Sequence, residues 1–353
     1  MTENEFRDLL YHLNGKLQVN KIGTSGNIWV AMGELVNKST KEDLVASLAK
    51  FPVVADVIGE GKIVWLKVKV PPSDFKKKSQ LDIPKLNIGL FFVTLLTTLM
   101  AGTLMEGGNP MSLSELKLGL PFSATLLLIL GCHEFAHYFY GRKHNVEVTL
   151  PYFIPAPTFI GTLGAVIRIK SPIPHRKALL EIGASGPIAG FIVAVPMLFI
   201  GLYLSNIVEN APIGSIILGE SLIMKIATAI LFPELDKTQD IMLHSVAFAG
   251  WIGLLVTMLN LLPLGQLDGG HIAYAILGKR HDKLAKWIFL MLIPLSFLSL
   301  NWLLWGGIIL LLMRTVKHPP ILDMSIKLSI KERMIGVVSL LIFIFCFVPV
   351  PFG

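Results

Sequence analysis

The chain has 353 residues, 53% of them hydrophobic and 16% charged, with a mean hydropathy of +0.66. That balance excludes an ordinary soluble enzyme and describes a multi-span membrane protein with a soluble appendage. Two cysteines, Cys132 and Cys346, both in apolar segments, argue against a disulfide framework, and the net charge of +7 is spread as a membrane topology spreads it rather than as a nucleic-acid footprint.

Residues 1–75 read as a small soluble α/β domain. The opening segment, Met1 to Asp8, is polar and acidic with no apolar run behind it, so no cleavable signal peptide is expected. A helix is predicted near Glu5–Leu13, strands near Lys16–Val19 and Ile28–Val36, and a second helix near Lys41–Lys50 with Ser39 or Thr40 as N-cap. The alternation from Ile63 to Val70 closes the domain as a strand. Pro71-Pro72-Ser73 and Lys76-Lys77-Lys78 then introduce a basic linker, residues 76–85. No catalytic constellation stands out before it, and the plain expectation is a regulatory or stabilising module.

Apolar stretches follow near 86–105, 119–140, 177–205, 242–263, 287–313 and 334–350, within a membrane domain spanning 86–350 with its core at 119–280. A span needs roughly 20 apolar residues. The fifth stretch is too long for one, and Pro294 and Asn301-Trp302 are expected to divide it into two short helices, giving six or seven spans. The linker and the loops 141–177, 264–286 and 314–333 hold nineteen Lys and Arg, against three in the loops 106–118 and 206–241. The positive-inside rule therefore puts the first set and the N-terminal domain in the cytoplasm of a multi-pass cell-membrane protein. Residues 211–232 look like an interfacial segment on the outer side.

The chemistry-bearing motif is His133-Glu134-Phe135-Ala136-His137, inside the second apolar stretch. Ionisable residues in a span are expensive and are normally kept for function. Histidines at i and i+4 share one helical face and can hold one metal ion, and Glu134 sits ~100° round the helix, close enough to handle a water there. His133 lies eight residues before Gly141, hence ~12 Å inside the cytoplasmic end of its span. A catalytic zinc site usually has three protein ligands. Asp268 is the best third candidate, at the end of an apolar span broken by Pro263 and Gly265 and followed by Gly269-Gly270. Its plain alternative is a cap on the following helix. Asn260 is a buried amide suited to an oxyanion, or otherwise to a helix–helix hydrogen bond. His271, His244, Glu181 and Cys132 are weaker candidates, read as supporting, span-end, ion-pairing and packing residues.

Val148–Lys170 is neither a span nor an ordinary loop. Pro151, Pro155 and Pro157 precede a strand-like run, Gly161-Thr162-Leu163-Gly164-Ala165 onward. Such backbone suggests a re-entrant or interfacial β-hairpin, whose edge can accept an extended peptide; the alternative is a surface loop. Gly183 to Gly190 is a small-residue packing motif containing Pro187.

Taken together, His133-Glu134-x-x-His137, the 161–165 strand, the Gly183–Gly190 motif, and Asn260 with Leu267-Asp268-Gly269 resemble the site-2 protease family of intramembrane zinc metalloproteases, peptidase family M50. The likeness covers about 85–280, and Pro151-Tyr152-Phe153-Ile154-Pro155 looks most like its archaeal, cyanobacterial and chloroplast branch. Thr162 departs from the pattern, where many relatives carry Asn. The resemblance implies a mainly α polytopic bundle with a membrane-associated β-hairpin. It further implies one Zn²⁺ per chain on His133, His137 and Asp268, with Glu134 as general base and acid. Asn260 would stabilise the transition state, and Gly161, Thr162, Leu163, Gly164 and Ala165 would dock substrate. The expected activity is a zinc metalloendopeptidase cutting in or near transmembrane segments of proteins in the bilayer, with homo-oligomers left open. Alternatives are a membrane zinc protease acting on exposed or lipidated tails, a metal transporter, and an inactive relative.

Overall fold

The computed structural model describes residues 3–25, 28–48, 51, 53–69, 85–209, 215–236, 238–319, 321 and 323–352. In the N-terminal domain, α1 (Glu3–Tyr11), β1 (Leu17–Ser25), β2 (Ile28–Leu35), α2 (Lys41–Leu48), β3 (Val54–Glu60) and β4 (Ile63–Lys69) follow in order. The strands form one antiparallel sheet, ordered β1-β2-β4-β3. Both helices pack on one face, burying Phe6, Leu9, Leu13, Leu44 and Leu48 against Trp29, Ala31, Val64, Leu66 and Val68. Alternation along β2 and β4 dictates that face, because successive side chains point to opposite sides. β3 was not foreseen: Gly59, at φ +146°, interrupts a run already poor in alternation.

Thr40 is the N-cap of α2. Its hydroxyl accepts from the Asp43 N–H at 3.2 Å while the Asp43 carboxylate accepts from the Thr40 N–H at 2.8 Å. Thr40→Ala is expected to cost about 1 kcal/mol, seen as faster amide exchange confined to α2; unchanged exchange there contradicts the assignment. Residues 76–84 of the basic linker lie outside the described residues, and Lys85 opens the next helix.

The rest is mainly helical: α3 (Lys85–Met105), α4 (Leu120–Lys143), a hairpin of β5 (Tyr152–Pro155) and β6 (Thr162–Val166), then α5 (Arg176–Tyr203). A short pair, β7 (Asn206–Val208) and β8 (Asp240–Met242), brackets α6 (Leu222–Leu231). The chain ends with α7 (Ser245–Asn260), α8 (Asp268–Leu277), α9 (His281–Ser296), α10 (Asn301–Met313) and α11 (Ile330–Cys346). Among the described residues, three helical stretches are long and apolar enough to cross a membrane: Lys85–Met105, Leu116–Lys143 and Arg176–Tyr203. Ser245–Asn260 and Asn301–Leu311 are apolar but shorter. The 287–313 stretch does divide, but Pro294 is inside α9 and the break falls at 297–300. Pro294 lacks the N–H that would bond to the carbonyl four residues back, so it costs α9 one backbone bond without ending the helix.

α5 is the centre of the bundle, packing against α4, α7, α8 and α11. Glycine makes this closeness possible. A Cβ at Gly201 would overlap the backbone of Ala247, and one at Gly253 would lie 2.8 Å from Ile129 Cγ2. Near the start of α5, the buried Glu181 carboxylate pairs with Lys143 at 2.7 Å and His144 at 2.9 Å, as expected of a structural ion pair. The hairpin seats on α3: Asn87 Nδ2 donates to the Leu150 and Pro151 carbonyls, both at 2.9 Å, and Phe153 packs edge-on against Phe91.

Candidate metal centre

α4 presents His133 and His137 one turn apart, and both are buried. Asp268 arrives from a distant part of the chain. α7 ends at Asn260, and the turn through Pro263 and Gly265 (φ +51°) starts α8 at Asp268. Gly269 and Gly270 let that first turn rest on the preceding backbone. Any Cβ there would overlap the Leu261 and Gly265 carbonyl oxygens. Asp268 makes no capping hydrogen bond; the N-cap is Leu267.

The three donor atoms form a nearly equilateral triangle. His133 Nε2 is 3.1 Å from His137 Nε2 and 3.2 Å from Asp268 Oδ2, and His137 Nε2 is 3.3 Å from the same oxygen. Ligands at zinc bond lengths of about 2.0–2.1 Å in a tetrahedron stand ~3.3 Å apart. Nitrogen and carboxylate donors at these edges, with a fourth corner open to a cavity, fit a catalytic zinc site. Among the described residues, this is the one group of three metal-ligating side chains so clustered. The His137 tautomer is set by Ile182: its carbonyl can only accept, so Nδ1–H donates to it at 2.8 Å and leaves Nε2 with a free lone pair, as a metal ligand would need.

The Gly183–Gly190 motif makes room for this arrangement. A Cβ at Gly183 would press on His271 Cβ at 2.7 Å, one at Gly186 would overlap His137 Nε2, and one at Gly190 would lie 3.2 Å from His133 Nδ1. These three positions form one stripe on α5, so the motif is a packing motif whose partners are the two imidazoles and the helix carrying Asp268.

The triad opens on a cavity of about 530 Å³, also lined by Glu134 and Asn260. Glu134 shares this cavity with Ile167, just past the end of β6. Asn260 Nδ2 is 3.4 Å from His133 Nε2. Of the five hairpin residues singled out in the sequence, Ala165 lines the cavity. Gly161, at φ +80°, packs on α3 and its carbonyl accepts from Thr97 Oγ1 at 2.7 Å. Thr162 is buried and ties the hairpin together: its hydroxyl donates to the Ile154 carbonyl at 2.7 Å and accepts from the Gly164 N–H at 3.0 Å. Leu163 is exposed, and Gly164 faces open space at φ +100°. β6 pairs with β5 alone, so its other edge carries no strand among the described residues.

His271 lines the cavity and its Nδ1 lies 2.7 Å from His318 Nε2, a partner that nothing local in the sequence announces. His244 caps α7, accepting from the Val246 N–H at 3.2 Å. Three further lining residues, Lys21, Met32 and Trp65, come from the N-terminal domain. Desolvation and the nearby Arg168 guanidinium both hold the Lys21 ammonium below its ordinary pKa.

Comparison with known proteins agrees with this geometry. Residues 121–300 match the model of peptidase family M50. The chain is 28% identical over 69% of its length to the probable zinc metalloprotease EGY2, chloroplastic, of Arabidopsis thaliana, covering 44% of that protein. It is 31% identical over 63% of its length to the Arabidopsis probable zinc metalloprotease EGY1, chloroplastic, covering 42% of it. A rice (Oryza sativa subsp. indica) EGY2, also chloroplastic, is 29% identical over 74% of the chain and 49% of its own length. The chain thus spans less than half of each of these relatives. No solved structure matches. The helices that carry the His133–His137–Asp268 cluster fall within the matched stretch, and the chain belongs to peptidase family M50.

Proposed function

We propose that the chain is an intramembrane zinc metalloprotease that hydrolyses peptide bonds in or near the transmembrane segments of membrane-anchored proteins. The observation that carries this reading is the donor triangle of buried His133 and His137 with half-buried Asp268, set among apolar helices with the buried Glu134 beside it. His133, His137 and Asp268 would hold the zinc ion, which would supply a more acidic water and a Lewis acid for a carbonyl oxygen. Glu134 takes a proton from the attacking water and returns it to the leaving amine. The Asn260 amide donates to the oxygen on which charge develops. The free edge of β6 holds an unwound substrate stretch, exposing an amide that a helix would shield. A transit site for metal has no use for a carboxylate placed as a base outside the donor triangle.

The topology that suits this reading has seven spans, namely α3, α4, α5, α7, α9, α10 and α11, the α9–α10 pair forming a hairpin that returns to the cytoplasm. The domain of residues 1–75 then lies in the cytoplasm of a cell-membrane protein, with 76–85 as linker and 86–350 as the protease domain.

Metal removal tests the reading. The purified chain should hold one zinc and cleave a single-span model substrate. Dialysis against 1,10-phenanthroline should stop cleavage, and one equivalent of Zn²⁺ should restore it. Cleavage that persists in the metal-free protein, or zinc uptake into vesicles without cleavage, rejects it.

A further inference from the structure

The N-terminal sheet is covered on both faces. Its inner face belongs to α1 and α2. Alternation turns Ile28, Val30, Met32 and Trp65 the other way, where solvent would be expected in a free-standing domain of this size. Yet Val30 is 0% and Trp65 4% exposed. Lys21 Nζ donates to the Ile169 carbonyl at 3.2 Å, and Thr24 Oγ1 donates to Glu147 Oε1 at 2.5 Å. At Gly23 the approach is closer still, since a Cβ there would come within 2.8 Å of Ser171 Cα. The domain is therefore docked on the segment that follows β6, and Met32 and Trp65, paired across β2 and β4, line the same cavity as the His133–His137–Asp268 cluster.

Trp65 is an unexpected choice for a packing position. Its Nε1–H is buried with no partner among the described residues, a loss that phenylalanine would avoid. A large apolar ring is kept there despite that cost, and what the ring borders is the cavity. The end of β6, through Ala165 and Val166, and the segment after it, through Ile167 and Ile169, supply another wall. A strand laid along the free edge of β6 points alternate side chains to opposite sides, so every second one is available to a neighbouring wall.

We infer that the N-terminal domain is a wall of the substrate site, with Met32 and Trp65 receiving an apolar side chain of the extended substrate segment. The inference rests on the protease reading above and gives the domain a part in selecting which residue sits beside the scissile bond. It also makes the docked position of the domain a condition of selectivity, because a side chain at Gly23 would wedge the sheet off the segment holding Ser171.

The test uses the full chain in nanodiscs with Glu134→Gln to stop turnover and Cys132→Ser and Cys346→Ser to remove background thiols. The probes are single-span polyleucine peptides carrying one cysteine at successive positions. Oxidation should crosslink the Met32→Cys variant to peptide positions two apart, the period of an extended strand, and the Leu163→Cys variant should crosslink to an overlapping stretch. Trp65→Ala and Gly23→Leu should each weaken peptide binding about tenfold, the order expected for one large apolar side chain losing its contact, while Trp65→Phe stays within about threefold. Crosslinking from Leu163→Cys without any from Met32→Cys, or Trp65→Ala binding as tightly as its parent, overturns the inference and leaves the protease reading intact. Failure of the protease reading shows separately, as metal-independent cleavage or none by the chain with Glu134 in place.

Discussion

Glu134→Gln should abolish cleavage, by about 10²–10⁴-fold in kcat, while zinc content stays at the wild-type level. Glutamine keeps the size and planarity of the side chain, so the cavity wall is preserved, but an amide cannot take up a proton at pH 7. The metal should be indifferent to the change, because Glu134 is not among the three donors. Asn260→Ala gives the useful comparison. Removing one oxyanion donor costs about 10²–10³-fold with little effect on KM, so the pair should share a kcat defect and differ in its size. Loss of zinc in Glu134→Gln would move Glu134 into the donor set. Retained cleavage would remove it from the chemistry.

The parts of the site readable from the sequence are those set by local geometry. Histidines four apart on a helix must share a face, and that holds whatever the rest of the chain does. The break before Asp268 was equally local, since Pro263 offers no N–H to a helix and Gly265 permits the left-handed backbone, φ +51°, that turns the chain there. Distant packing was not readable. Nothing near Gly186 in the chain shows that His137 will be laid against it, and the partnership of His271 with His318 joins segments 47 residues apart. The docking of the N-terminal domain left one trace. In β4, Val64, Leu66 and Val68 fill the inner face, which leaves Trp65 on the side expected to meet water. A tryptophan there signals a second buried face. The span count suffers from the opposite problem. Hydropathy locates apolar stretches but does not fix helix length, and α7 and α10 come out shorter than a bilayer-crossing helix usually is.

Gly186→Ala should disable the centre from outside the donor set. The added methyl would occupy the place of His137 Nε2, the atom that the proposed zinc requires. That nitrogen has little freedom to yield, because Nδ1 of the same ring is tied to the Ile182 carbonyl and the ring is clamped between α4 and α5. The imidazole must tilt, and the 3.1 and 3.3 Å edges of the triangle that end on it are lost together. Disturbing only the support of a ligand costs about 10–100-fold in metal affinity, and displacing the ligand itself should reach or exceed the upper figure. The other glycines set the scale. At Gly190 a methyl meets His133 Nδ1 at 3.2 Å, a contact that a few tenths of an ångström of movement relieves, and at Gly89 it meets nothing within 4 Å. Zinc retained against a graded chelator should therefore rank Gly89→Ala with wild type, Gly190→Ala below it and Gly186→Ala last, with cleavage in the same order. If Gly186→Ala held zinc as firmly as Gly89→Ala, His137 would not be where the metal is bound. The stripe on α5 would then be explained by helix packing alone.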